Sequence, residues 1–253
     1  MVTNDLFYPY KACGRVFFGQ YLCTIPRSSM RFEKDALLIT CIKRLCMKKL
    51  GLLVCLILSM TSVAFAKGEA EAGKAKSLTC SACHGGDGNS LIPMNPKIAG
   101  QHKGYLVKQL TEFRLASRTG GKEGRNNAVM NGMAAGLSDQ DIADLAAYFS
   151  SQDQKAGEAP EDVIAAGQAL YRGGNAERGI TSCISCHGPN GKGMGLAGFP
   201  VISGQHAEYT SSQLKMFRNG TRANSHNGMM AGIAAKLTDD DIDVLSKYLS
   251  GLY

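Results

Sequence analysis

Cys80-Ser81-Ala82-Cys83-His84 and Cys183-Ile184-Ser185-Cys186-His187 are two copies of one pattern, CxxCH, set 103 positions apart. Each reads as a covalent c-type haem site. Two thiols three positions apart can add to the two vinyl groups of one haem, and the next residue brings an imidazole under the iron as proximal ligand. Two such sites imply two haem c. A CxxC pair also serves zinc sites and redox dithiols. A zinc finger, however, needs an HxxxH pair after the thiols, and the chain has none. A thioredoxin-like dithiol has no use for the adjacent His, still less twice.

Cysteine use elsewhere agrees. Of nine cysteines, Cys80, Cys83, Cys183 and Cys186 are the only ones after residue 66, which leaves none there for a disulfide. The other five, Cys13, Cys23, Cys41, Cys46 and Cys55, fall in a leader of different composition. Met47-Lys48-Lys49, the apolar run Leu50 to Met60, and Ala64-Phe65-Ala66 have the charged start, apolar middle and AxA exit of a secretory signal peptide over 47–66. Cleavage after Ala66 would make Lys67 the mature N-terminus. The apolar run is short for a membrane span. Val54 before Cys55 is bulkier than a lipoprotein site wants. Because 1–46 precede an apparently complete signal, Met47 is the expected initiator.

The formal charge of +7 is concentrated in that leader: residues 1–66 hold 9 Lys and Arg against 3 Asp and Glu, and residues 67–253 hold 19 against 18. A nearly neutral mature chain removes the case for nucleic acid, which would need a basic face, while leaving room for clustered charge on a docking surface. Covalent haem attachment to an exported chain points to a bacterial periplasm.

Superposing the two haem motifs repeats the rest of the mature chain. Ala99-Gly100-Gln101-His102 falls on Ser203-Gly204-Gln205-His206, Gln109-Leu110 and Phe113-Arg114 on Gln213-Leu214 and Phe217-Arg218, and Met130-Asn131-Gly132 on Met230-Ala231-Gly232. One duplicated module is the economical explanation. It gives domains at 67–152 and 161–253 with a polar linker, 153–160, that closes on Pro160.

Helical spacing dominates both halves and strand signals are nearly absent. First helices are expected at Ala70 to Thr79 and Val163 to Arg172, with Gly73 and Gly167 where another helix approaches closely. Middle helices carry Tyr105 to Phe113 and Tyr209 to Phe217. Ser138-x-x-Asp141 and Thr238-x-x-Asp241 are capping-box starts of the last helices. Modules of about ninety residues are marginal on protein packing alone, so a buried porphyrin completes each core. Gly85-Gly86-Asp87-Gly88 lacks the strand-loop-helix setting of a nucleotide site, and no general base or nucleophile stands out.

The sixth iron ligand separates an electron carrier from an enzyme with an open haem. Among the methionines after His84, only Met130 and Met230 occupy one aligned position, in a Gly-containing loop before the last helix. Thioether ligation raises the reduction potential relative to a second imidazole. His102 and His206 also align and are the rival ligands, although their place at the entry to the middle helix suits a surface or capping role. Pro96 and Pro200 align as well, and a carbonyl near each could accept the outward N–H of the proximal imidazole. Arg114 with Arg118, and Arg218 with Arg222, recur at helical spacing and suit either haem propionates or a solvated face.

Taken together, the two CxxCH motifs, the two aligned prolines, the GQH-Y-x-x-x-QL helix and the MxG-x-A-x-x-LS/T-x-x-DI ending resemble the dihaem cytochrome c4 family over essentially all of 67–253. The resemblance implies an all-α fold of two tandem class I cytochrome c domains, each around one covalent haem. It implies Met130 and Met230 as axial ligands beside His84 and His187, and Pro96 and Pro200 as the residues that orient those imidazoles. It further implies a periplasmic or membrane-associated electron shuttle, from a quinol-oxidising cytochrome bc complex to a terminal oxidase of the cbb3 type. The competing reading from another class is a dihaem peroxidase with one open haem. A third is a bound electron-transfer subunit of a dehydrogenase or oxidase.

Overall fold

Ser138 and Asp141 close the capping box that the sequence announces. The Ser138 hydroxyl accepts from the Asp141 amide at 3.1 Å and the Asp141 carboxylate accepts from the Ser138 amide at 3.0 Å. Thr238 and Asp241 repeat the pair at 3.1 and 2.8 Å. Each box supplies partners for two amides that the first turn of a helix leaves open. The computed structural model describes residues 67–252, so the expectations for 1–46 and 47–66 lie outside the described residues.

The described residues are helical, with two isolated β-bridges, Asn175 to Ile180 and Met194 to Phe199. The first module holds α1 (Ala70–Lys76), α2 (Leu78–His84), α3 (Lys103–Thr119), α4 (Ala128–Ala134) and α5 (Asp139–Ser150). The second holds α6 (Glu161–Gly173), α7 (Ile184–His187), α8 (Ala207–Arg218), α9 (Met229–Ala234) and α10 (Asp239–Ser250), with 3-10 turns at Gly195–Ala197 and His226–Gly228. The single first helix expected at Ala70 to Thr79 is two. Ser77 breaks it by bonding its hydroxyl back to the Lys74 carbonyl at 2.9 Å, the local competition with helical bonding that serine offers.

In each module the first helix crosses the last at a glycine. A Cβ at Gly73 would stand 2.0 Å from the Asp144 carbonyl oxygen, and one at Gly167 would stand 2.4 Å from Tyr248 Cβ. Around the first crossing Leu106, Leu145, Ala146, Tyr148 and Phe149 form the core. Around the second lie Tyr171, Ile180, Leu237, Ile242, Leu245, Tyr248 and Leu249. The added loop between α6 and Cys183 contributes Ile180, which pairs its backbone with Asn175 at 2.8 and 2.9 Å.

The two modules meet through equivalent parts. The Arg125 guanidinium donates to Tyr209 Oη at 3.0 Å and Gln213 Oε1 at 2.8 Å, and Arg222 donates to Tyr105 Oη at 2.9 Å. The linker is tied down on both sides. Asn89 donates to the Asp153 carbonyl at 2.9 Å and accepts from the Lys155 amide at 2.8 Å, while Gln154 donates to the Ser203 carbonyl at 2.8 Å.

Candidate functional site

The first CxxCH motif lies on α2, so Cys80, Cys83 and His84 share neighbouring turns of one helix. In the second, Cys183 caps α7 and Cys186 and His187 lie within it. Gly85 at φ 80° and Gly188 at φ 74° end these helices. Gly88 and Gly191, each four residues past its histidine, then turn the chain back. The Gly88 carbonyl accepts from the Ile98 and Ala99 amides at 2.8 and 3.1 Å, and the Gly191 carbonyl from the Ile202 and Ser203 amides at 2.8 and 3.2 Å. Both glycines have positive φ, 78° and 65°, in space where a Cβ would crowd the returning strand of chain.

That return brings a proline carbonyl under each imidazole. His84 Nδ1 lies 2.8 Å from the Pro96 carbonyl oxygen and His187 Nδ1 lies 3.0 Å from that of Pro200. A carbonyl only accepts, so Nδ1 carries the hydrogen, and the neutral ring keeps its lone pair on Nε2. Both rings are buried, with 8 % and 7 % of their surface exposed. Burial lowers the pKa of each, outweighing the opposing effect of the carbonyl. Each site therefore presents an oriented neutral imidazole beside two unpaired thiols. Burial raises the pKa of the Cys80 thiol and pushes that of Cys183 up to about 11. This is a donor set that fits a haem bound through two thioethers and one imidazole nitrogen.

Met130 and Met230 lie in the first turns of α4 and α9, both partly buried, so the loop expected for them is corrected to a short helix. Asn127 caps α4 by accepting from the Met130 amide at 2.9 Å, and Ser225 accepts from the Met230 amide at 3.2 Å. These helices pack on α3 and α8, which hold segments too short to persist alone. Arg114 and Arg218 reach the start of the last helices. Arg114 donates to the Leu137 carbonyl at 2.7 Å and to Asp139 at 2.5 Å; Arg218 donates to Leu237 at 3.0 Å and to Asp239 at 2.5 Å.

His102 and His206 turn outward from their own modules. Their Nε2 atoms bond across the interface to the Lys192 carbonyl at 2.8 Å and the Ser90 carbonyl at 2.9 Å. Arg125, which no sequence motif marks, is the counterpart of Arg222. It stands five residues before Met130 where Arg222 stands eight before Met230. Arg125 stands 11 residues past Arg114 whereas Arg222 stands 4 past Arg218, so superposing the halves on their middle helices sets Arg222 against Arg118 and hides the pairing.

The cytochrome c family model matches twice, at residues 70–153 and 164–252. Cytochrome c4 of Stutzerimonas stutzeri is 48% identical over 210 residues, 82% of this chain and 100% of that protein. The chain belongs to the cytochrome c4 family. The crystal structure of reduced recombinant cytochrome c4 from Pseudomonas stutzeri superposes with a TM-score of 0.72 at 48% identity, covering 74% of this chain and 100% of that one. A thiosulfate dehydrogenase electron acceptor from Stutzerimonas stutzeri strain A1501 is 35% identical over 179 residues, 69% of this chain and 79% of that protein. As a cytochrome c4, the protein is a dihaem c-type cytochrome that transfers electrons and is not an enzyme. No helix among the described residues is long and apolar enough to cross a membrane.

Proposed function

We propose that Cys80 and Cys83 anchor one haem c and Cys183 and Cys186 the other, with His84 and Met130, and His187 and Met230, as the axial pairs. The observation that carries this reading is the duplicated bond from each motif imidazole to a proline carbonyl, His84 to Pro96 and His187 to Pro200. When bound, each haem supplies a one-electron ferric/ferrous couple. The residues around it hold the imidazole hydrogen on Nδ1, keep Nε2 free to bind, and bury the ring from water. In this reading the domains run 67–152 and 161–253 around the linker 153–160, and a signal peptide at 47–66 sends the protein to the periplasm. There it carries electrons from a quinol-oxidising cytochrome bc complex to a haem-copper oxidase of the cbb3 type. The relative named as a thiosulfate dehydrogenase electron acceptor supports a second donor, a thiosulfate-oxidising enzyme, for the same carrier.

Near-infrared absorption of the oxidised holoprotein tests the ligands. A thioether-to-iron charge-transfer band accounting for both haems is the expected result. A high-spin ferric fraction would mark an open site and favour the peroxidase reading. Met130→Ala and Met230→Ala are each expected to lower the potential of one haem and abolish its low-spin spectrum; an unchanged spectrum removes that methionine from the ligand set. Rapid reduction by the bc complex against reduction by thiosulfate dehydrogenase distinguishes the donors.

A further inference from the structure

The peptide group that receives each proximal imidazole is itself held from the other module. The Pro96 carbonyl and the Lys97 N–H belong to one peptide unit. Its oxygen takes the His84 Nδ1–H at 2.8 Å, and its N–H donates to Gln205 Oε1 at 2.8 Å. Gln205 Nε2 in turn donates to the Lys97 carbonyl at 2.8 Å. The mirror relation holds in the second module. The Pro200 carbonyl takes the His187 Nδ1–H at 3.0 Å, the Val201 N–H of the same unit donates to Gln101 Oε1 at 2.9 Å, and Gln101 Nε2 donates to the Val201 carbonyl at 2.9 Å. Each glutamine oxygen also accepts the following histidine amide, His102 at 3.0 Å and His206 at 3.1 Å. With two N–H donors facing one end of the side chain and a carbonyl facing the other, the amide orientation is determined. Both side chains are buried, at 8 % and 7 % exposure, which limits the access of water to these bonds.

We infer that Gln101 and Gln205 are reciprocal positioning residues, each setting the strength of the imidazole-to-carbonyl bond in the opposite module and through it the reduction potential of the opposite haem. A peptide whose N–H is engaged by an acceptor is polarised, and its oxygen becomes a better acceptor. The imidazole that donates to that oxygen gains electron density, which makes Nε2 a stronger donor and favours ferric over ferrous iron. Gln205 therefore lowers the potential of the haem held by His84, and Gln101 that of the haem held by His187. The two redox centres are tuned across the domain boundary, and only when the modules are docked.

The inference rests on His84 and His187 being the iron ligands. The test uses the full haem-loaded chain and the neutral, similarly sized variants Gln205→Met and Gln101→Met. In each variant the two potentials are assigned to their haems by paramagnetic NMR. Gln205→Met is expected to shift the His84 haem toward ferrous by about threefold, roughly 30 mV at 59 mV per tenfold, and to move the other haem by less than half as much. Gln101→Met is expected to do the reverse. In the ferrous state the Nδ1–H resonance of the affected histidine moves upfield as its bond weakens. Equal shifts at both haems, a larger shift at the haem of the substituted residue's own module, or unchanged potentials with low-spin ligation intact overturn the inference. Should a variant fail to retain haem, amide exchange in the unaltered protein decides the matter. Strong protection of the Lys97 and Val201 amides is expected, and exchange at the rate of exposed loops overturns it. A motif histidine that proves not to bind iron would instead remove the ligand reading itself.

Discussion

Arg222 donates from Nη2 to the hydroxyl of Tyr105 at 2.9 Å, so a cation of the second module is held by a phenol of the first. The same guanidinium bonds Asn224 and Gln213, at 2.9 and 2.8 Å, and lies 4.5 Å from the centre of the Phe217 ring. Only 6 % of its surface is exposed. Arg125 repeats the arrangement from the other side, over Phe113 and against Tyr209. A buried cation on neutral oxygens and a ring is stable only while all of those partners stay in place.

Arg222→Met fills much of the same space but strands the oxygens of Tyr105 and Asn224 in the interface and leaves Gln213 Oε1 with its bond from Arg125 alone. Hydrogen bonds to charged groups contribute about 1.5–3 kcal/mol each when a partner is removed. The variant is expected to lose about 2–3 kcal/mol and to unfold in two steps as the modules part. Urea unfolding of the holoprotein checks this, and one transition at the unaltered midpoint would contradict it.

Gly73 and Gly167 set the distance between first and last helices in their modules. Alanine is the better helix former by about 1 kcal/mol, yet the added methyl meets Asp144 backbone in one case and the Tyr248 side chain in the other. Overpacking a close crossing costs about 1–3 kcal/mol, so both Gly→Ala variants are expected to be less stable. At Gly104 on α3 an added methyl group would meet nothing within 4 Å. Gly104→Ala is expected to raise stability by about 0.5 kcal/mol, and thermal unfolding of the three variants side by side tests the contrast.

The glycines at the two crossings are legible in the sequence, as are the capping boxes, because each is a short-range pattern repeated at the same place in both halves. Short-range reasoning fails where one residue or one contact decides the outcome. Ser77 breaks the first helix through its own side chain, a choice that a string of apolar spacings does not register. Gly132 and Gly232 argue against helix around Met130 and Met230, and it is packing on α3 and α8 that overrides them. The pairing of Gln101 with Val201 and Gln205 with Lys97 is hidden for a different reason. Duplication displays which residues recur, whereas a contact between the copies leaves no mark in either one.

His102 and His206 separate interface from ligand roles. Each donates one hydrogen bond to a carbonyl of the other module, at 2.8 and 2.9 Å. His206→Phe is expected to cost about 1 kcal/mol of stability and to leave the low-spin absorption of both haems unchanged, and His102→Phe likewise. Loss of either haem's low-spin spectrum would return that histidine to the candidate ligands.

Lys76 bonds Asp141 at 2.6 Å and Asp144 at 2.7 Å, joining the first helix of its module to the last. In the second module Arg178, from the loop after α6, takes the Asp241 carboxylate instead, at 2.6 and 2.9 Å. Lys76, with the Glu69 amide and Gln140, lowers the Asp144 carboxyl from its ordinary 3.8 to about 2, and Lys76 holds Asp141 well below the usual carboxylate range. A carboxyl whose pKa is depressed in the folded chain stabilises it fully above the ordinary value, and that stabilisation fades as pH falls toward the folded value. Lys76→Met removes the main cause of both shifts. The variant is therefore expected to be less stable than the unaltered protein at neutral pH, with the gap closing between about pH 4 and pH 2. The Arg178 pair is untouched, so the acid loss due to Asp241 stays common to both proteins. Urea midpoints measured across that range decide the point: a gap that stays constant down to about pH 2 would mean that Lys76 acts through packing of its stem and not through its charge.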